Sequence, residues 1–192
     1  MPRICSFTPE ERESFISFEK NLYRKIKAGE WDEAVNLYEE KFEWAHGGLL
    51  IRKLGGTVLH FAVSHGGDNI VEQLVEICEK KKYKEVLNFK DMQGNVPLHL
   101  AASTGSLRKC ICIAEADPSL GNARNKEGES PLFSAAILGR TEIFLCLRSI
   151  CKNKLDSSYF RKTGGETILH CAIKRNCWGE HFNLFKVTSP IK

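Results

Sequence analysis

No run of apolar residues in this 192-residue chain comes near the roughly 18 that a membrane-spanning helix requires, so no membrane insertion is expected of it. The opening MPRICSFTPEERESF is too charged to read as an export leader. The 8 cysteines are therefore expected in a reducing, cytoplasmic setting, as free small hydrophobes instead of disulfide partners. A large charge excess is missing too. Lysine and arginine number 28 against 24 acidic residues, a net +4, far below what a dedicated nucleic-acid binder carries, and no nucleic-acid partner is expected. There is no CxxC pair, HExxH, nucleophile elbow, phosphate-binding loop or kinase signature, and the LGG and TGG stretches lack the strand-to-helix context of a phosphate loop. No catalytic residue, metal or cofactor follows from these absences.

What remains is a packing composition, 42% hydrophobic and 27% charged, which excludes wholesale disorder. It is arranged as a repeat. The stretches GGTVLHFAVSHGG from Gly55, GNVPLHLAASTGS from Gly94, GESPLFSAAILGR from Gly128 and GETILHCAIKRNC from Gly165 align at spacings of 39, 34 and 37 residues. Each position has a physical reason. The leading glycine permits a positive φ at a turn, and Thr57, Ser130 or Thr167 supplies a capping oxygen, which Val96 lacks. Pro97 and Pro131 stand in the first helical turn, where a missing N–H costs nothing. Alanines at 62, 101, 102, 135, 136 and 172 let helices approach closely, and Gly66, Gly105 and Gly139 are predicted to end the first helix in left-handed caps. Second helices follow in NIVEQLVEICE, SLRKCICIAEA and TEIFLCLRSIC, with apolar residues at helical spacing. A unit of hairpin, helix, turn and helix cannot bury its apolar face alone, so copies must stack: the fold expected is an all-α solenoid.

Upstream, Thr8, Pro9 and Glu11 form a capping-box start, Phe15, Phe18, Leu22 and Ile26 one apolar face, and Gly29 a stop. This reads as a degenerate helical repeat closing the array's exposed end. The expected organisation is a tail over 1–7, the capping pair over 8–46, repeats over 55–89, 94–123 and 128–160, an incomplete repeat over 165–182 and an irregular tail over 183–192. The tail's apolar patch, Phe182, Leu184, Phe185 and Val187, favours an array cut short over a natural cap.

The motif resembles the ankyrin consensus GxTPLHxAAxxG, whose period is about 33 residues. The phrases YRKIKAGEWDEAVNLYEE, LGGTVLHFAVSHG, GNVPLHLAASTG, NARNKEGESPLFSAAILGR and GGETILHCAIKRN, in that order, resemble the plant ankyrin family that ends in a membrane-spanning PGG domain. That resemblance implies the recognition array of a protein engaged in defence or salt-stress signalling, at the cytoplasmic face of a membrane where the anchor is present. Phe133 departs from the family pattern by replacing the motif histidine.

His60, His99 and His170 recur about once per unit, stacked roughly 10 Å apart as packed helices are, whereas metal ligands converge to about 2 Å from one ion. The resemblance implies a structural role instead, each histidine bonding the motif threonine and nearby backbone, with His99 the loosest because Val96 has no hydroxyl. It also implies that protein partners bind at the hairpin tips and the groove lined by the first helices. The tips carry Arg52, Lys53, Lys90, Arg124, Lys126, Arg161 and Lys162. The variable pairs expected to face the groove are Ser64 and His65, Ser103 and Thr104, Ile137 and Leu138, Lys174 and Arg175. The apolar third pair between polar neighbours reads as the centre of a small binding patch. The function expected is a non-enzymatic interaction module holding an acidic or amphipathic protein segment. The alternative is a shortened regulatory form that competes for the partners of a membrane-anchored relative.

Overall fold

The computed structural model describes residues 8–45, 55–153, 161–168 and 170–171. Arg52, Lys53, Lys174, Arg175, the segment 1–7 and the tail patch lie outside them.

Helix α1, Pro9–Ala28, begins on a reciprocal cap: Thr8 Oγ1 accepts from the Glu11 N–H at 3.2 Å, and Glu11 Oε2 accepts from the Thr8 N–H at 2.8 Å. It ends at Gly29 with φ +75°. The apolar spacing of Phe15, Phe18, Leu22 and Ile26 places all four in the core. Helix α2, Trp31–Glu40, folds back along α1 and buries Ala34, Val35 and Tyr38.

Three helix pairs follow. They are α3, Val58–His65, with α4, Asp68–Lys80; α5, Pro97–Thr104, with α6, Leu107–Ala116; and α7, Pro131–Ile137, with α8, Thr141–Cys151. The first helices pack one on the next, as do the second helices, giving two layers of stacked helices. Ala62, Ala101, Ala102, Ala135 and Ala136 are fully buried at the contacts, where a larger side chain would hold the helices apart. The large side chains between the layers, among them Leu59, Leu74, Leu98, Ile113, Leu132, Phe144 and Leu147, belong to one continuous core. Each such residue contributes about 1.5–3 kcal/mol by leaving water. Short 3₁₀ turns at Lys84–Asn88 and Pro118–Asn122 close the second helices and bury Val86, Leu87 and Leu120.

Between units the chain makes one turn three times. Asp91, Asn125 and Lys162 each donate their N–H to the carbonyl four residues on, and Gly94, Gly128 and Gly165 donate back to them. Neighbouring turns are also tied by backbone: Met92 N–H donates to the Gly55 carbonyl at 2.9 Å and Lys126 N–H to the Gln93 carbonyl at 3.0 Å. Among the described residues the only strand-like pairing is the isolated antiparallel bridge between Arg161 and Thr167.

One expected cap differs. Gly105 and Gly139 are left-handed, with φ +88° and +69°, but Gly66 is extended at φ −87°. Its reason is local: Gly67 follows as the N-cap of α4, and the chain passes straight from one helix to the next. A Cβ on Gly66 would lie 2.9 Å from the Ala62 carbonyl oxygen, so close approach, not a positive φ, explains the glycine.

Candidate functional site: the hairpin row and first-helix face

The motif histidines are fasteners between units. His60 Nδ1 accepts from the Thr57 N–H at 3.1 Å and lies 2.8 Å from Thr57 Oγ1. That leaves the proton on Nε2, which donates to the Asn95 carbonyl of the next hairpin at 2.8 Å. His99 repeats the arrangement without the hydroxyl. Its Nδ1 accepts from the Val96 N–H at 3.2 Å and its Nε2–H donates to the Glu129 carbonyl at 2.9 Å. Burial lowers the pKa of both rings, His99 to about 4, because a second proton would find no water and would face a backbone donor at Nδ1. His99 is as buried as His60, and Val96 costs it one partner rather than its place. His170 makes the same contacts with Thr167, its Nδ1 lying 2.7 Å from Thr167 Oγ1, but is exposed. Phe133 occupies the third position fully buried, above the Ser130 cap.

The variable pairs fall at unequal depths. Ser64 and Ser103 fold back onto their own helices, donating to the His60 and His99 carbonyls at 3.1 and 2.9 Å, and Thr104 Oγ1 donates to the Ala101 carbonyl. His65 stacks on Phe61 at 4.1 Å, with the Lys27 ammonium 4.8 Å from the same ring. Ile137 is not groove-facing. It shares the register of Ser64 and Ser103, four residues after the motif position, but has no hydroxyl to return to a carbonyl, and it turns into the core with 7% exposure. Leu138 alone of that pair is outward, at 41%.

The basic tips stand in a row, largely engaged with the array's own carbonyls. Lys90 Nζ donates to the Arg124 carbonyl at 2.9 Å. Arg124 donates to the Gly128 and Arg161 carbonyls at 3.0 and 2.6 Å. Arg161 donates to Gly165, and Lys162 pairs with Glu166 at 3.0 Å. Lys126 is exposed and has no ion pair among the described residues.

Sequence reasoning missed Lys109. Its ammonium is buried and donates to the Val63 and Gly66 carbonyls, each at 2.8 Å, capping α3 from the following unit. The available signal was a lysine in line with Ile113 and Ala116 on the buried stripe of α6. Ser106 Oγ, donating to Asp68 at 2.7 Å, reinforces the same junction.

Stacked helix pairs joined by hairpin turns, with His60 and His99 each clasping the next hairpin, decide the architecture. The fold is an ankyrin-repeat solenoid. No protein-family model matches the chain. It is similar to an ankyrin repeat protein of Rickettsia bellii, 34% identical over 45% of this chain and 14% of that protein. It is similar to the ankyrin repeat domain-containing protein SOWAHB of Homo sapiens, 25% identical over 65% of this chain and 16% of that protein. It is also similar to alpha-latrotoxin-Lg1a of Latrodectus geometricus, 26% identical over 90% of this chain and 12% of the toxin. The chain thus spans about an eighth of the length of these curated relatives. The ankyrin-repeat likeness supports a protein–protein interaction module.

The ankyrin array's thiols are placed for packing. Burial pushes Cys110 up to about 12 and Cys112 and Cys151 to about 11, so none is a thiolate nucleophile at neutral pH. Cys78 lies 3.5 Å from the buried Tyr38 hydroxyl. Among the described residues no group of three or more His, Cys, Asp or Glu side chains is arranged to hold a metal ion. None of the described helices is long and apolar enough to cross a membrane.

Proposed function

We propose that the array holds an acidic or amphipathic protein segment along its first-helix face and hairpin tips, without enzymatic chemistry. The observation that carries this reading is the outward row formed by His65, Thr104 and Leu138, one per unit at the same register, together with exposed Lys126 in the hairpin turn that precedes Pro131–Ile137. Such a row presents an apolar end, a polar middle and a cationic edge to one extended ligand. The order of phrases that resembles the plant PGG-type ankyrin family supports a place in stress or defence signalling.

The test is affinity capture with the wild-type chain and with Leu138→Ser, Thr104→Arg and Lys126→Glu variants that keep wild-type helicity. Ile137 is left alone because its replacement would open the core. Loss of the same captured protein from at least two variants is expected. An unchanged captured set overturns the reading.

A further inference from the structure

The opposite side of the array, formed by the second helices, carries a cleft of about 500 Å³ between α4 and α6. On α4 it is walled by Glu72, Val75, Glu76 and Glu79, and on α6 by Arg108, Ile111, Cys112 and Glu115. Both sets run i, i+3, i+4, i+7, the spacing of a helix seam, and extend about two turns, or roughly 10 Å. Of the middle positions Val75, Ile111 and Cys112 are apolar and Glu76 is charged, as are all four ends. Val75 is buried, and Ile111 and Cys112 are half-buried, with no helix above them among the described residues.

The charge of this cleft opposes that of the chain. Four carboxylates and one guanidinium line it, in a protein of net charge +4. Arg108 donates to Glu72 from Nε at 2.9 Å and from Nη2 at 2.8 Å, Lys80 meets Glu76 at 2.9 Å and Lys84 lies 3.6 Å from Glu79. These pairs are exposed and individually weak, so an incoming cation can share them. Glu115 has no ion pair among the described residues. After burial, the charges of Glu72, Glu79 and Glu115 add to what raises the Cys112 thiol.

We propose that this cleft is a second docking surface, for a short basic amphipathic helix. Such a helix would lay an aliphatic stripe on Val75, Ile111 and Cys112, with lysines or arginines on either flank against Glu76, Glu79 and Glu115. A second copy of this chain fits poorly, since a two-fold contact would set one acidic face against another.

The probe is a fluorescent 18-residue synthetic helix with a leucine–alanine stripe and flanking lysines, and its control carries glutamates in place of the lysines. Binding of the lysine peptide to the wild-type chain is expected to weaken at least tenfold in Glu79→Lys/Glu115→Lys and to fall as salt rises. Ile111→Ser, a milder change, is expected to weaken binding should the double variant lose helicity. Leu138→Ser, on the other side, leaves binding unchanged, which separates this surface from the first-helix row. Four results overturn the proposal: equal affinity for the glutamate peptide, no loss on substituting the cleft residues, loss on Leu138→Ser, or a wild-type dimer that the double variant dissolves.

Discussion

A neutral imidazole that accepts a backbone N–H on one nitrogen and donates to a carbonyl from the other has no place for a second proton. For His99 this fixes the sign of a pH effect. Its folded value, about 4, lies below its ordinary 6.5, so between those limits the unfolded chain binds the extra proton. The contribution is complete above pH 6.5 and is lost as pH falls toward 4, roughly 3 kcal/mol in all. The urea midpoint of the wild type is therefore expected to fall further between pH 7.5 and 4.5 than that of His99→Ala, which measures the ring's share. At pH 7.5 the alanine variant itself is expected to be about 2–4 kcal/mol less stable, since the Val96 N–H and Glu129 carbonyl lose their partner. The reverse change is available one turn earlier. Val96→Thr would give His99 Nδ1 the hydroxyl that Thr57 gives His60, and a gain of up to about 1 kcal/mol is expected in the same titration.

At the scale of the helix and the turn, stability depends on what reaches across. Lys109→Met removes both donors from the C-terminal carbonyls of Val63 and Gly66, and a loss of about 1–3 kcal/mol is expected in chemical denaturation despite retained packing volume. Two glycines separate backbone strain from close approach. Gly164, at φ +89°, has open space where a Cβ would go, so Gly164→Ala is expected to cost about 1 kcal/mol. Gly128, at φ +73°, would place a Cβ 1.9 Å from Thr163 Oγ1 and 2.4 Å from its backbone nitrogen. Gly128→Ala is expected to cost a further 1–3 kcal/mol. The sequence made visible whatever a residue does within its own turn: the Thr8 and Glu11 cap, the threonine before the histidine, the proline opening a helix. It did not show the partners of Lys109, 43 and 46 residues away, or the carbonyl that holds Arg124 from 37 residues on, because those depend on how one unit sits against the next. Ile137 was misplaced for the same reason, its register being legible and its depth not. The cleft between α4 and α6 needs two helices side by side before it exists.

At the scale of the whole molecule, the junctions among the described residues are unequally made. The first two units are clasped in both directions, by His60 onto Asn95 and by Lys109 and Ser106 back onto α3 and Asp68. The next junction has His99 on Glu129 and the Asn125 amide on the Asn95 side chain at 3.0 Å. At the third, Phe133 offers no ring nitrogen, and Arg124 reaches the Arg161 carbonyl instead. In a linear array stability follows neighbour contacts. The amides of Lys162 and Gly165 are therefore expected to exchange faster in deuterium than the equivalent amides of Asp91 and Gly94, and equal protection would contradict this ordering. The histidine clasps also give the chain a direction in time. His60 finds its acceptor 35 residues downstream and His99 its own 30 residues downstream. During synthesis each finished unit waits, its ring still wet, until the following hairpin has cleared the ribosome.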